Sequence, residues 1–226
     1  MTQDEAKRAV AQRAVGLVED GMRVGLGTGT TATMFIRALA ERVKSGLRIR
    51  CVASSDASHN LGRTLGMDVT TLDQLPELDI YIDGADEVGP GLALIKGGGG
   101  ALLREKIVAS AARRFVVVVD STKVVDHLGR FPLPVEVVKM ALPLVGPKLE
   151  QLGLHPLQRQ SKVGGGPYLT DEGNYIVDCH CGVIADPERT AAEIRSIVGV
   201  VEHGLFLNMA SLALVAGDSG VAEKTA

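Results

Sequence analysis

The chain has 226 residues, 46% of them hydrophobic and 23% charged, with a net charge of −3. This length allows one large domain or two modest ones. The net charge is slightly negative and no Lys/Arg run is interleaved with aromatic residues, so the sequence indicates no nucleic-acid-binding surface. Tryptophan is absent and aromatic residues make up only 3% of the chain. A small polar or phosphorylated ligand therefore suits the composition better than a stacked base or sugar ring.

The sequence also bears on compartment and metal content. No apolar run approaches the ~20 residues that are needed to cross a bilayer, and the charged N-terminus does not resemble a secretion signal. Cys179 and Cys181 are separated by one residue and Cys51 stands alone, so the cysteines lack zinc or redox spacing. We expect a cytoplasmic protein with no metal site, no nucleic-acid partner and no membrane partner.

The first chemical feature along the chain is a loop rich in glycine and threonine, between the predicted strand Arg23–Leu26 and an amphipathic helix. A helix start presents free N–H groups and a partial positive charge to an anion. Thr28, Thr30 and Thr31 add hydroxyl donors. The loop is not a dinucleotide or Walker motif, because Thr30 replaces the third glycine and no Gly-Lys-Ser/Thr follows. Taken alone, it fits a monophosphate cradle or a plain βα turn that is capped by threonine.

The densest group of chemical side chains follows the predicted buried strand Leu78–Ile82. Asp83 and Asp86 come directly after this strand. Lys96 then opens a four-glycine run, and the helix after the glycines carries Glu105. Ligands of open α/β sheets bind at the carboxyl ends of the strands, so we expect these groups to form a site. The alternative is an acidic turn, a glycine hinge and a solvated helix face, although four consecutive glycines are costly without a use.

Strands and helices continue to alternate as far as Phe115–Val119, a β-branched run that is typical of a strand covered on both faces. Repeated βα units predict an α/β fold with a doubly wound, largely parallel, Rossmann-like sheet. Phe131–Pro134 breaks this rhythm. We predict a catalytic domain of residues 1–130 plus 204–226, and a small α+β domain of residues 131–203, inserted before the C-terminal strand and involved in subunit contacts. Further strands are predicted at 92–95, 168–170, 205–207 and 212–215, the last two rejoining the first sheet.

Several short motifs in fixed order resemble the type A ribose-5-phosphate isomerase family. The matching stretches are residues 25–32, 54–58, 83–87, 96–99, 104–106 and 131–136, and the likeness extends to the closing Ala213-Leu-Val. Departures are small: Thr30 stands where serine is expected, and Gly100 and Leu103 replace alanine and threonine. Ser161–Pro167 is longer than expected, in a part of the small domain that we predict to lie away from the site.

The resemblance implies interconversion of ribose 5-phosphate and ribulose 5-phosphate through an enediolate, without a cofactor, in the non-oxidative pentose phosphate pathway. It implies that Glu105 is the general base that moves a proton between C2 and C1. Asp83 would serve ring opening and proton exchange, with Asp86 a second oxygen ligand, and Lys96 would stabilise the oxyanion. The implied substrate- and phosphate-binding residues are Thr28, Gly29, Thr30, Thr31, Gly84, Ala85, Gly97, Gly98, Gly99 and Lys123. Lys7 is a further candidate for the phosphate, with a solvated helix lysine as the alternative.

We expect the Glu105 carboxylate and the Lys96 ammonium to face one sugar from opposite sides of a pocket. Apolar neighbours should raise the pKa of Glu105 above the ~4.3 of a free glutamate. The residues alone also allow Glu105 to be a first-turn acid that favours the helix dipole. Two other functions stay open: a non-catalytic phosphosugar sensor, for which the chain has no basic arm, and a coenzyme A transferase with a glutamyl thioester. We expect a homodimer or homotetramer.

Overall fold

The structure is a computed structural model that describes residues 1–225, with fourteen strands and six α-helices. The strands are β1 (Arg23–Leu26), β2 (Arg50–Ala53), β3 (Val69–Thr70), β4 (Ile80–Asp83), β5 (Glu87–Val88), β6 (Leu94–Ile95), β7 (Phe115–Asp120), β8 (Leu133–Val137), β9 (Pro156–Gln158), β10 (Tyr175–Cys179), β11 (Val200–His203), β12 (Leu205–Phe206), β13 (Leu212–Gly217) and β14 (Gly220–Lys224). The helices are α1 (Gln3–Val15), α2 (Thr30–Lys44), α3 (Asp56–Thr64), α4 (Leu102–Ser110), α5 (Leu142–Gln151) and α6 (Pro187–Arg195).

The large sheet has seven strands in the order β3-β2-β1-β4-β7-β13-β14. All neighbouring pairs are parallel except β13 and β14. The chain runs outward from β1 to β3 on one side and from β4 to β13 on the other, so the strand order reverses between β1 and β4. Ligands of such sheets bind beyond the carboxyl ends of the strands at this reversal. Thr28 lies just beyond β1 and Asp83 ends β4, so both predicted site residues lie there.

Both faces of the large sheet are covered. Side chains alternate between the faces of a strand, and in β4 Ile80 and Ile82 join one core cluster whereas Tyr81 joins the other. The first cluster includes Val10 of α1 and residues of α2, and the second includes Val108 of α4. The predicted doubly wound α/β fold is thus confirmed. None of the helices in residues 1–225 combines the length and the apolar character that a membrane span requires.

A four-stranded antiparallel sheet has the order β11-β8-β10-β9. Its own core cluster joins Val135 of β8, Val177 of β10, Leu149 of α5 and Ile194 of α6. The prediction of a smaller α+β part is therefore confirmed. The division into domains of residues 1–130 plus 204–226 and residues 131–203 stays a prediction, and the last residue of that range, Ala226, lies outside the described residues.

A third sheet, in the order β12-β6-β5, corrects two strand predictions. The strand expected at 92–95 is only β6, because the chain turns at Gly91, which has a φ of 62°, and β6 then pairs antiparallel with β5. The strand expected at 205–207 is β12, which pairs with β6 and does not rejoin the large sheet. Of the two strands predicted to rejoin the large sheet, the one at 212–215 does so, as β13.

The strand predicted at 168–170 is also wrong. Thr170 begins a turn, in which the N–H of Gly173 donates to its carbonyl oxygen at 2.8 Å. Its hydroxyl donates to the buried carboxylate of Glu136 at 2.9 Å. Residues 168–170 therefore lead into a turn, held by this inward hydrogen bond, and do not form a β-strand. The antiparallel edge strand β14 was not predicted.

Candidate active site

A pocket of about 170 Å³ lies at the carboxyl ends of β1, β4 and β7. Except for Asp83, every predicted site residue lines it, and so do Gln3, Val118, Val119 and Asp120, which were not predicted. The predicted residues are Thr28, Gly29, Thr30, Thr31, Gly84, Ala85, Asp86, Lys96, Gly97, Gly98, Gly99, Glu105 and Lys123, together with the further candidate Lys7. The side chain of Asp83 is fully buried behind the pocket wall. The structure therefore brings these residues together, and their individual roles stay predictions.

Asp83 accepts hydrogen bonds at both carboxylate oxygens. Oδ1 accepts from the backbone N–H groups of Thr28, at 2.9 Å, and Gly84, at 2.7 Å. Oδ2 accepts from the Lys96 ammonium at 2.8 Å and from the Tyr81 hydroxyl. A buried carboxylate requires such donors. Asp83 thus fixes the relative positions of the β1 loop, the end of β4 and Lys96.

Lys96 carries an ammonium group whose side chain is only 2% exposed. It contacts Asp83, the backbone oxygen of Gly84 at 2.6 Å and Glu105 Oε2 at 3.3 Å. Burial by itself lowers the pKa of Lys96, but the carboxylates of Asp83 and Glu105 outweigh burial and raise the pKa above its ordinary value. Lys96 therefore keeps its positive charge at neutral pH.

Glu105 lies in the first turns of α4, with its side chain 4% exposed. The contact of Oε2 with Lys96 lacks hydrogen-bond geometry, and within the described residues this oxygen has no hydrogen-bond partner. Burial raises the pKa of Glu105 to about 8, against the opposing charge of Lys96. The prediction of a raised pKa is thus confirmed. A buried carboxylate with such a pKa is suited to general base catalysis near neutral pH.

The expected arrangement of Glu105 and Lys96 across a sugar is wrong in one respect. The two groups touch each other at 3.3 Å and do not stand on opposite sides of the pocket. A buried ammonium and a buried carboxylate are each costly alone, and direct contact offsets part of that cost. A ligand in the pocket would thus meet both groups on the same side.

The glycine loop, residues 97–100, forms one wall of the pocket. The N–H of Gly98 donates to Asp86 Oδ2 at 2.7 Å. Burial raises the pKa of Asp86, although this hydrogen bond opposes the change. Gly100 has a φ of +87°, and a Cβ atom there would clash with the Tyr168 hydroxyl. A side chain is therefore excluded at this position by both conformation and space.

The N-terminus of α2 forms another part of the pocket lining. The helix begins after Gly29, which has a φ of 99°, and within residues 1–225 no side chain caps it. Its first N–H groups therefore lack the acceptors that a cap would supply. Thr30, Thr31, Lys7 and Lys123 belong to the same lining. An anion at this point would meet N–H groups, hydroxyl groups and two ammonium groups.

Thr28 differs from the other two threonines of this loop. Its hydroxyl lies 2.9 Å from the hydroxyl groups of both Ser54 and Ser55, beyond β2. Thr28 thus links the β1 and β2 loops. This geometry favours Thr30 and Thr31 over Thr28 as hydroxyl donors to a phosphate.

The structure adds residues that the sequence reasoning missed. Asp120 ends β7 as Asp83 ends β4, so the rule that polar residues at strand ends form the site would also have found Asp120. Tyr81 precedes Asp83 by two residues and therefore lies on the same face of β4. The Ser161–Pro167 segment does not line the catalytic pocket, but Ser161, Lys162 and Val163 line a separate cavity with Gly98 and Gly99, on the glycine loop that both cavities share. In residues 1–225, no three His, Cys, Asp or Glu side chains are grouped to hold a metal ion.

The chain is similar to known proteins over almost its entire length. The family model of ribose 5-phosphate isomerase A (phosphoriboisomerase A) matches residues 50–220. Ribose-5-phosphate isomerase A of Roseiflexus castenholzii is 54% identical over 220 residues, which cover 96% of this chain and 94% of that protein. The protein of the same name from Sinorhizobium fredii is 51% identical over 226 residues, covering 98% of each chain.

Solved structures agree with this similarity. Ribose 5-phosphate isomerase A from Methanocaldococcus jannaschii has a TM-score of 0.95 and 40% identity, and covers 100% of both chains. A D-ribose-5-phosphate isomerase in complex with phospho-erythronic acid has a TM-score of 0.97 and 37% identity, also covering 100% of both chains. With its fold, its pocket and these similarities taken together, the chain belongs to the ribose 5-phosphate isomerase A family.

Proposed function

We propose that this protein interconverts ribose 5-phosphate and ribulose 5-phosphate through an enediolate, in the non-oxidative pentose phosphate pathway. The observation that carries the proposal is the buried Glu105 carboxylate in contact with the Lys96 ammonium, both of them lining the pocket. An aldose–ketose shift needs a base beside the reacting carbon and a positive group beside the carbonyl oxygen. The anion-binding end of the pocket suits the phosphate of such a substrate, and membership of the family supports this choice of sugar.

Glu105 is the general base in this proposal. Its carboxylate takes the proton from C2 of the open-chain aldose and returns it to C1, while a second proton moves from O2 to O1. Negative charge develops on the carbonyl oxygen in the first step. Lys96 stabilises this charge, together with N–H groups of the glycine loop. Because Lys96 already contacts Asp83 and Glu105, its position is set before the substrate arrives.

The other two carboxylates, Asp83 and Asp86, serve ring opening and the proton transfer between the sugar oxygens. Asp83 was predicted for both tasks, but its side chain lies behind the pocket wall and contacts Lys96. Asp86 lines the pocket, and burial raises its pKa, so it can exchange a proton with a sugar hydroxyl directly. We therefore assign direct proton exchange to Asp86, with Asp83 acting through Lys96.

Replacing Thr31 by alanine is expected to raise KM for ribose 5-phosphate roughly 10-fold or more, since a hydrogen bond to a charged group contributes about 1.5–3 kcal/mol. The value of kcat should change little, because Thr31 is assigned to the phosphate and not to the reacting carbons. Steady-state kinetics of Thr31→Ala measure both constants. Thr33→Ala, on the same helix but outside the pocket lining, is the control. A fall in kcat at constant KM would contradict a phosphate cradle at this loop.

The pH dependence of kcat/KM should report the ionisation of Glu105. Since only the carboxylate form accepts a proton, and burial raises the pKa of Glu105 to about 8, kcat/KM should fall as pH decreases through about 8. The second ionisation of the substrate phosphate gives a separate limb near pH ~6. A coupled assay between pH 5.5 and 9.5 distinguishes the two limbs. A plateau that extends down to pH 6.5 would contradict the assignment.

The proposed function itself is tested by one assay. The purified chain, in EDTA, should convert ribose 5-phosphate into ribulose 5-phosphate at a rate that EDTA does not reduce, because an ammonium group supplies the positive charge. Absence of turnover would overturn the proposal. A covalent adduct between Glu105 and an acyl-coenzyme A would instead favour the transferase function.

A further inference from the structure

We propose that Arg159 is a positioning residue, which orients the Gly98–Gly99 peptide so that the Gly99 N–H points into the pocket. Arg159 follows β9 and thus belongs to the four-stranded sheet, not to the sheet that carries the catalytic groups. The inference rests on the proposed function, because it assigns a donor to the oxyanion of that reaction.

The Arg159 guanidinium binds the glycine loop with one edge and a carboxylate with the other. Nη1 donates to the backbone oxygens of Gly97, at 3.0 Å, and Gly98, at 3.2 Å. Nε and Nη2 donate to the two oxygens of Asp178 at 2.9 and 2.5 Å. The Arg159 side chain is 14% exposed, and its guanidinium lies 5.8 Å from the centre of the Tyr168 ring. This two-sided planar fork fixes the guanidinium in space.

Peptide geometry converts these contacts into a direction for the N–H groups. The C=O and N–H of a trans peptide point in opposite directions, and residues 1–225 contain no cis peptide bond. The Gly97 oxygen faces Arg159, and the N–H of Gly98, in the same peptide, donates to Asp86 at the pocket. The Gly98 oxygen also faces Arg159. The Gly99 N–H must therefore point to the side of the catalytic pocket, as the Gly98 N–H does.

The glycine loop separates two cavities, which fits this arrangement. Gly98 and Gly99 line both the catalytic pocket, of about 170 Å³, and a cavity of about 540 Å³ that Arg159 and Tyr168 also line. The Tyr168 hydroxyl donates to the Gly99 oxygen at 3.2 Å, so three consecutive carbonyl groups are held from the same side. Glycines without such contacts would be free to rotate. A fixed donor is what stabilises a developing oxyanion without reorganisation during the reaction.

The experiment compares Arg159→Ala with Arg189→Ala, a control at an exposed arginine of α6. We expect Arg159→Ala to lower kcat roughly 10- to 100-fold, somewhat less than complete removal of an oxyanion donor, with KM nearly unchanged because the phosphate end is untouched. Arg189→Ala should match the wild type. Added guanidinium should restore part of the kcat of Arg159→Ala. A purely structural defect would not be rescued in this way.

Two ligands report the Gly99 N–H without turnover. Phospho-erythronic acid carries a carboxylate near the position where the enediolate charge would form, whereas erythritol 4-phosphate carries an alcohol. In titration calorimetry, Arg159→Ala should weaken binding of the acid by about the same factor as kcat, and leave binding of the alcohol unchanged. Equal weakening of both ligands, or wild-type kcat in a folded Arg159→Ala variant, would overturn the proposal.

A second variant keeps the test decisive if Arg159→Ala fails to fold. Asp178→Asn retains the arginine but weakens the hydrogen bonds that hold its guanidinium. This variant should therefore show a smaller loss of affinity for the acid, again without a loss for the alcohol. If Asp178→Asn kept both the wild-type kcat and the wild-type affinity for the acid, that result would count against the proposal. Failure of the wild-type chain to turn over ribose 5-phosphate would overturn the proposed function instead, and is thus distinguishable.

Discussion

Glu105→Gln should fold, bind the sugar phosphate and lose roughly 10²–10⁴-fold in kcat, the range that a positioned general base contributes. Glutamine preserves the shape of the side chain but cannot accept the C2 proton. Folding should persist, because the Lys96 ammonium keeps its 2.8 Å contact with Asp83 and a buried negative charge is removed. Turnover in the coupled assay, thermal unfolding and ligand titration measure the three expectations.

Glu136→Gln is the matched control for this prediction. Glu136 is also a buried glutamate, burial also raises its pKa, and its Oε2 likewise lacks a hydrogen-bond partner within the described residues. It contacts Thr170 and Asn174 and lies outside the catalytic pocket. Its replacement should therefore leave kcat near the wild-type value. If Glu105→Gln retained a tenth of wild-type kcat, Glu105 would not be the base.

The sequence was sufficient to predict most of the residues that meet at the pocket. Asp83 and Thr28 follow β-branched or apolar runs, and parallel strands bring such ends to one edge of the sheet. Local patterns carry this information because a strand and the turn after it are continuous in the chain. The same reasoning predicted the large parallel sheet, whose strand β7 is an uninterrupted buried run.

Contacts between distant segments could not be predicted in the same way. The spacing of Lys96 and Glu105 does not say where their side chains point, so their direct contact was missed. Arg159 reaches the glycine loop only because the four-stranded sheet packs beside it. The residue pattern of β9 does not predict that packing. β12 was assigned to the wrong sheet for the same reason, since an apolar two-residue strand fits any buried edge.

Lys96→Met is expected to have the second large effect, on both rate and stability. Loss of the ammonium removes the group that stabilises the oxyanion, at a cost of about 10²–10³-fold in kcat. It also leaves the carboxylates of Asp83 and Glu105 buried without their positive partner. Breaking a buried ion pair in this way typically destabilises a protein by about 3–5 kcal/mol. Denaturant unfolding and the coupled assay measure the two losses separately.

The pH profile of the residual activity makes this prediction specific to Lys96. Because Lys96 lowers the pKa of Glu105 against the effect of burial, its removal should raise that pKa further. The acid limb of kcat/KM should then move to higher pH. Protonation of Glu105 relieves its buried charge, so Lys96→Met should also be less destabilised at pH 6 than at pH 9.

Lys106→Met is the control, because Lys106 is a second buried ammonium that faces the same aromatic ring. Their Nζ atoms lie 4.8 Å (Lys106) and 5.5 Å (Lys96) from the centre of the Phe206 ring. The Lys106 ammonium binds Glu202 and two backbone oxygens and makes no ion pair with Glu105 in the part of the chain described. Lys106→Met should therefore lose stability and keep the wild-type acid limb. If both variants shifted the limb equally, general loosening of the core would explain the result, and the contact between Lys96 and Glu105 would not control the base.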